Sequence, residues 1–128
     1  MYFCIASKDR TGLVTALILR RIKDVRPMKQ GKLVRDKIPQ IIIADGKIPI
    51  TRILDHNEYL EELDKKLNEE IAEYQADKSI EEMADVLEVL FAICEARGHS
   101  IEELMEVRNS KKEQRGGFNQ KIYWSGNE

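Results

Sequence analysis

The sequence predicts an all-α fold, an antiparallel helical bundle, and three observations carry that prediction. A capping-box pattern recurs as Asp55 with Glu58, Ser79 with Glu82 and Ser100 with Glu103. In each, the cap side chain meets the backbone N–H three residues on while the acid reaches back. Apolar residues recur at helical spacing between these starts and the glycines that follow. Only 6% of residues are aromatic while 34% are charged, against roughly 25% charged in an average domain, which argues against a β-sandwich.

A short first helix is predicted from Ile38 to Ala44, entered through Asp36, with Pro39 in its first turn and Gly46 closing it. Residues 47–54 read as an extended connection. A long helix follows from His56 to about Gln75, on which Leu60, Leu63, Leu67, Ile71 and Tyr74 form one apolar stripe. The next helix, Ile80 to Arg97, ends at Gly98 and is apolar almost all round, from Met83 through Cys94. Such a helix is predicted to be central and buried. The last runs from Ile101 to about Arg115, before Gly116 and Gly117.

At 128 residues and 42% hydrophobic, the chain is sized for one domain with a core. No apolar run approaches the roughly 20 residues of a membrane span, and the N-terminus lacks the order of a signal peptide. Cys4 and Cys94 are the only cysteines, too few for a disulfide framework, so a cytoplasmic location is expected. The net charge of -2 hides an asymmetry. Residues 1–54 hold 12 Lys/Arg against 4 Asp/Glu, residues 55–85 hold 12 Asp/Glu against 3 Lys, and residues 86–128 hold 6 Lys/Arg against 7 Asp/Glu. An acidic middle between basic flanks suits a site that binds cations and an anionic ligand together; the bland alternative is a solvated acidic face.

The acids are spaced for chemistry. Glu70 and Glu73 lie three apart on the long helix, and Glu82 with Asp85 repeats that spacing on the next. At 100° per residue, Glu70 sits about 60° from Leu67, on the edge of the apolar stripe, whereas Glu69 points into solvent. A short connection makes the two helices antiparallel, so the pairs converge. With no Lys or Arg expected beside them, four carboxylates repel unless a cation sits among them, and hard oxygen ligands suit Mg²⁺ or Mn²⁺. No Cys/His cluster has zinc spacing. Glu88 reads as a structural or supporting acid.

Glu69-Glu70-Ile71-Ala72-Glu73, followed by Glu82-Met83-Ala84-Asp85, resembles the EExxE…ExxD signature of the MazG-like all-α nucleoside triphosphate pyrophosphohydrolases. Lys32-Leu33-Val34-Arg35-Asp36-Lys37-Ile38-Pro39 resembles the opening of their phosphoribosyl-ATP pyrophosphohydrolase-like subgroup, and Arg115-Gly116-Gly117-Phe118 its C-terminal motif. The resemblance covers about residues 28–124. It implies a bundle completed by dimerisation or a higher homo-oligomer, and Mg²⁺ held by Glu70, Glu73, Glu82 and Asp85. It also implies hydrolysis of a nucleotide substrate between the α- and β-phosphates to a monophosphate and pyrophosphate, with one of the four acids as general base. Neither a membrane nor a nucleic-acid polymer is an expected partner.

Candidates for the substrate phosphates are Arg35 and Lys37 near the first helix and Arg108, Asn109, Lys111, Lys112 and Arg115 on the last. The basic residues there equally complement a helix C-terminus. Tyr74, Phe118, Tyr123 and Trp124 are read as packing residues before base-stacking ones. The chain departs from the family in one respect: only eight residues, Tyr74 to Glu81, separate the two acid pairs, so base preference does not carry over. Two other readings stand beside this one, a phosphoribosyl-ATP pyrophosphohydrolase and a non-catalytic helical interaction module.

Residues 1–27 fall outside the resemblance. Cys4 and Arg10, with five residues between them, are similar to the phosphate loop of tyrosine-type phosphatases, with Phe3 in place of the usual His and Ser7 in place of a glycine. A loop without its supporting sheet cannot pre-organise a nucleophile, so no phosphatase activity is expected. Thr11 to Lys23 is predicted to be an amphipathic helix. Met28 reads as a natural start, with residues 1–27 the tail of a phosphatase-like sequence joined by fusion or by a start placed too early.

Overall fold

The structure, a computed structural model, describes residues 31–128. The phosphate-loop-like stretch around Cys4 and Arg10, the helix predicted over Thr11 to Lys23, and Met28 all lie outside the described residues. Within them are four helices and no strand: α1 (Ile38–Ala44), α2 (His56–Asp77), α3 (Ile80–Ala96) and α4 (Ile101–Arg115).

The capping box closes fully at α2, where the Asp55 side chain accepts from Glu58 N, and at α4, where Ser100 accepts from Glu103 N. At α3 half of it forms. Ser79 Oγ accepts from Glu82 N at 3.2 Å, but the Glu82 carboxylate is directed inward and is 1% exposed. The start of α1 also departs from expectation. Its N-cap is Lys37 without a side-chain cap, not Asp36, because a backbone turn from Ile38 N to Arg35 O does that work.

Helix α2 packs chiefly on α3, which in turn touches α4. The two-residue link Lys78–Ser79 folds α3 back along α2. Lys78 adopts a left-handed conformation (φ 55°, ψ 24°), its N–H donates to Tyr74 O, and its ammonium lies 5.4 Å from the Tyr74 ring centroid. At the far end, Gly98 (φ 91°) turns the chain into α4, a backbone state open to glycine at little cost. The Cys94 thiol donates to Ser100 O at 3.3 Å across that turn.

The burial of α3 is inverted relative to prediction. Its inward face is Glu82, Asp85 and Val89, whereas Ile80, Met83, Leu87 and Leu90 form an outward line at i, i+3 and i+4 spacing, 40–70% exposed. Apolar all round does not mean covered all round here, because α2 takes only one side. Leu63 on α2 and Ile38 at the head of α1 join Val89 as the buried apolar residues among those described. Phe118, Tyr123 and Trp124 are exposed, so within one chain they pack in no core; Tyr74 is half-buried.

The left-handed residue sets the tightness of the α2–α3 turn. Lys78→Val, placing a β-branched side chain at positive φ, is expected to lower stability by about 1 kcal/mol or more in urea unfolding, while Lys78→Gly holds or raises it.

Candidate metal centre

The seam between α2 and α3 brings acids together from both helices. Glu70, Glu82 and Asp85 each offer an oxygen, all within 4.8 Å of one another. They are 1%, 1% and 2% exposed. Helical spacing explains the convergence: Glu82 and Asp85 are one turn apart on the inward face of α3, and Glu70 faces them from α2. Glu73 lies one turn further along α2, half-buried and outside this trio. Glu88 is exposed at the cavity edge.

Basic side chains stand beside these acids, contrary to the expectation of a site without Lys or Arg. Lys66, four residues before Glu70 on α2, is itself 7% exposed. Its Nζ lies 3.1 Å from Glu70 Oε2 and 3.3 Å from Glu69 Oε1. Arg35, on the non-helical arm before α1, donates from Nη2 to Asp85 Oδ1 at 2.7 Å. Glu69 is also misplaced by the sequence reading: its side chain is 27% exposed and pairs with Lys32 at 3.0 Å as well as Lys66. The long Lys66 and Lys32 side chains reach back over the α2 surface and draw Glu69 out of solvent. Lys66 was not singled out in the sequence, although its i, i+4 spacing to Glu70 is a standard ion-pair signal.

The acids differ in how these neighbours act. Burial is the main cause that pushes the Asp85 carboxyl up, to about 6; the Arg35 hydrogen bond opposes it, and the charges of Glu70 and Glu82 add to it. Burial also acts upward on Glu69, but the charges and hydrogen bonds of Lys66 and Lys32 together outweigh it and hold that carboxyl below the usual range. The second Asp85 oxygen, Oδ2, is buried and accepts no hydrogen bond. A desolvated carboxylate oxygen without a donor, among oxygens from two further buried acids, is a hard donor set that suits a metal ion.

A cavity of about 1020 Å³ opens onto Glu70 and Asp85 of the trio, with Lys66, Arg35, Lys37 and Tyr59 also among its lining. Its size matches small-molecule sites, and its wall carries both signs of charge. Of the predicted phosphate-binding residues, Arg35 and Lys37 therefore line it. Arg108, Asn109, Lys111, Lys112 and Arg115 do not: they are exposed along α4 and its end, with Arg108 donating to Asn109 Oδ1 at 2.9 Å. No helix among the described residues is long and apolar enough to cross a membrane.

An uncharacterized protein of Mycolicibacterium smegmatis (strain ATCC 700084 / mc(2)155) is 51% identical to the chain over 46 residues. The matched stretch is 36% of this chain and 47% of that protein, so the chain spans about half the length of this relative. No protein-family model matches the chain, and no solved structure matches it.

The raised Asp85 carboxyl gives the metal-free protein a defined pH response. Its folded-state pKa lies above the unfolded value, so its contribution to stability is present below about pH 4 and is lost as pH rises through about 6. In urea unfolding without divalent ions, this group adds a falling slope approaching about 1.4 kcal/mol per pH unit within that window. Asp85→Asn is expected to remove it; an unchanged slope would mean that Asp85 is ionised at its ordinary pH.

Proposed function

We propose that this chain is a Mg²⁺-dependent nucleotide pyrophosphohydrolase, cleaving a nucleoside triphosphate or related nucleotide between the α- and β-phosphates. The observation that carries the reading is the buried trio Glu70, Glu82 and Asp85, of which Glu70 and Asp85 line a nucleotide-sized cavity. The acidic signature and both flanking motifs run in the same order as in the MazG-like enzymes they resemble.

Glu70, Glu82 and Asp85 hold the cation, with Glu73 one turn away along α2 as a fourth donor for the ion or its water shell. Bound there, a divalent ion neutralises phosphate oxygens and makes water more acidic. Arg35 and Lys37, also on the cavity lining, bind and orient the phosphate chain. An acid of the cluster not committed to metal accepts the proton of the attacking water. Tyr59 and the apolar lining exclude bulk solvent.

A second copy completes the bundle in this reading. The outward line of Ile80, Met83, Leu87 and Leu90, together with Ile71 at 40% exposure on α2, is the kind of apolar face a homodimer covers. A non-catalytic interaction module is the alternative, favoured by one observation: Lys66 and Arg35 pair directly with Glu70 and Asp85, as structural ion pairs do.

The test is a panel of ordinary and modified nucleoside triphosphates, with phosphoribosyl-ATP, incubated with Mg²⁺ and scored for pyrophosphate. Pyrophosphate release that falls at least a hundredfold in Glu82→Ala and Asp85→Ala, each still folded, is expected; a loss of about 10²-fold per removed charge-stabilising group is typical. Release from no member favours the interaction module, and orthophosphate indicates a different bond. For assembly, light scattering at micromolar concentration is expected to give a dimer or higher oligomer, and Leu87→Glu with Leu90→Glu a monomer. A wild-type monomer would overturn the assembly.

A further inference from the structure

Resting on the divalent-cation reading of the acidic trio, the geometry points to Lys66 and Arg35 as exchangeable resident cations. They neutralise Glu70 and Asp85 until a metal ion arrives, then pass to an oxyanion in the cavity, so that metal and oxyanion bind with positive coupling. Three features support this. Both cations contact the trio itself, Lys66 Nζ at 3.1 Å from Glu70 and Arg35 Nη2 at 2.7 Å from Asp85, so an ion placed among the three carboxylates competes with both. Both also line the cavity and so already stand at the edge of the space a ligand fills. Each has a route to turn: Lys66 keeps Glu69 at 3.3 Å when it releases Glu70, and Arg35 is one-third exposed on an irregular segment, not held within a helix.

The exchange decides the sign of the coupling. A divalent ion among the three carboxylates adds two positive charges beside the cavity and frees two donors from their carboxylates, and both changes favour an oxyanion. Guanidinium and ammonium groups are suited to phosphate-like oxygens, the first as a planar fork and the second as a point charge. Reciprocity follows, since an anion that draws Lys66 and Arg35 away from the carboxylates strengthens metal binding by the same factor.

The experiment uses the full chain with Mn²⁺ alone, sulfate alone, and sulfate at saturating Mn²⁺, followed by calorimetry and by the electron spin resonance of free Mn²⁺. Wild type is expected to bind sulfate about tenfold more tightly with Mn²⁺ than without, within the usual range of coupling between sites. Lys66→Met is expected to bind Mn²⁺ more tightly than wild type and yet lose most of the coupling to sulfate; Arg35→Met does the same. Lys66→Arg restores the wild-type pattern. The opposed signs are the diagnostic, because a merely structural lysine would weaken both ligands together. If Lys66→Met fails to fold, Lys66→Gln and Arg35→Met carry the measurement. Mn²⁺ bound with Glu82-dependent affinity but unchanged or weakened in the Lys66 and Arg35 variants overturns the exchange alone. No Mn²⁺ binding by wild type overturns the exchange and the metal reading together.

Discussion

The structure depends on carrying ionised carboxylates into the dry seam between α2 and α3. Glu70, Glu82 and Asp85 are almost wholly removed from solvent, and an isolated charge in such a place costs several kcal/mol unless something compensates it. Among the described residues, Glu70 and Asp85 draw compensation from two parts of the chain. Lys66 belongs to the same helix as Glu70, whereas Arg35 arrives from an arm 50 residues before Asp85. The ion pairs therefore also tie the arm and α1 to the helix pair. Ile38 at the head of α1, with no exposed surface, is the apolar anchor of the same tether.

Acids on the inward face of α3 displace its aliphatic residues to the outside. A helix has one inner face, and here Glu82 and Asp85 take it with Val89. The fold thus trades apolar burial within the chain for a charged interior, and it leaves a row of Leu and Met side chains facing away from the site. Site and surface are two sides of one helix. A change of α3 orientation made to hide the outer row would withdraw the acids from the cavity.

Much of this was legible in the sequence, and the failures have a common cause. Caps are local chemistry, so Asp55, Ser79 and Ser100 marked helix starts that the structure keeps to the residue. Convergence of Glu70 with Glu82 and Asp85 followed from spacing and a short turn. A helical wheel, however, gives angles between residues and not which angle faces inward. The inward side of α2 is Leu63, Lys66 and Glu70, centred roughly 70° round the helix from the middle of the apolar stripe Leu60, Leu63, Leu67, Ile71 and Tyr74. That roll hides Lys66 and brings Glu69 against Lys32, neither of which hydrophobic periodicity reveals. The roll is set by charge pairing between segments far apart in sequence, which a local pattern does not contain.

The two-residue link at Lys78 and Ser79 acts as a rotational lock. Each added residue in a turn that continues into a helix advances that helix by about 100° about its axis. One insertion there would swing Glu82 and Asp85 away from Glu70 and put Glu81, Ala84 and Glu88, each one position earlier in the sequence, into the inward slots of α3. Three or four inserted residues, close to one full helical turn, would return the acids nearly to phase. Tolerance of length variation at this turn should therefore be periodic, dividing viable insertions from disabling ones by phase and not by size.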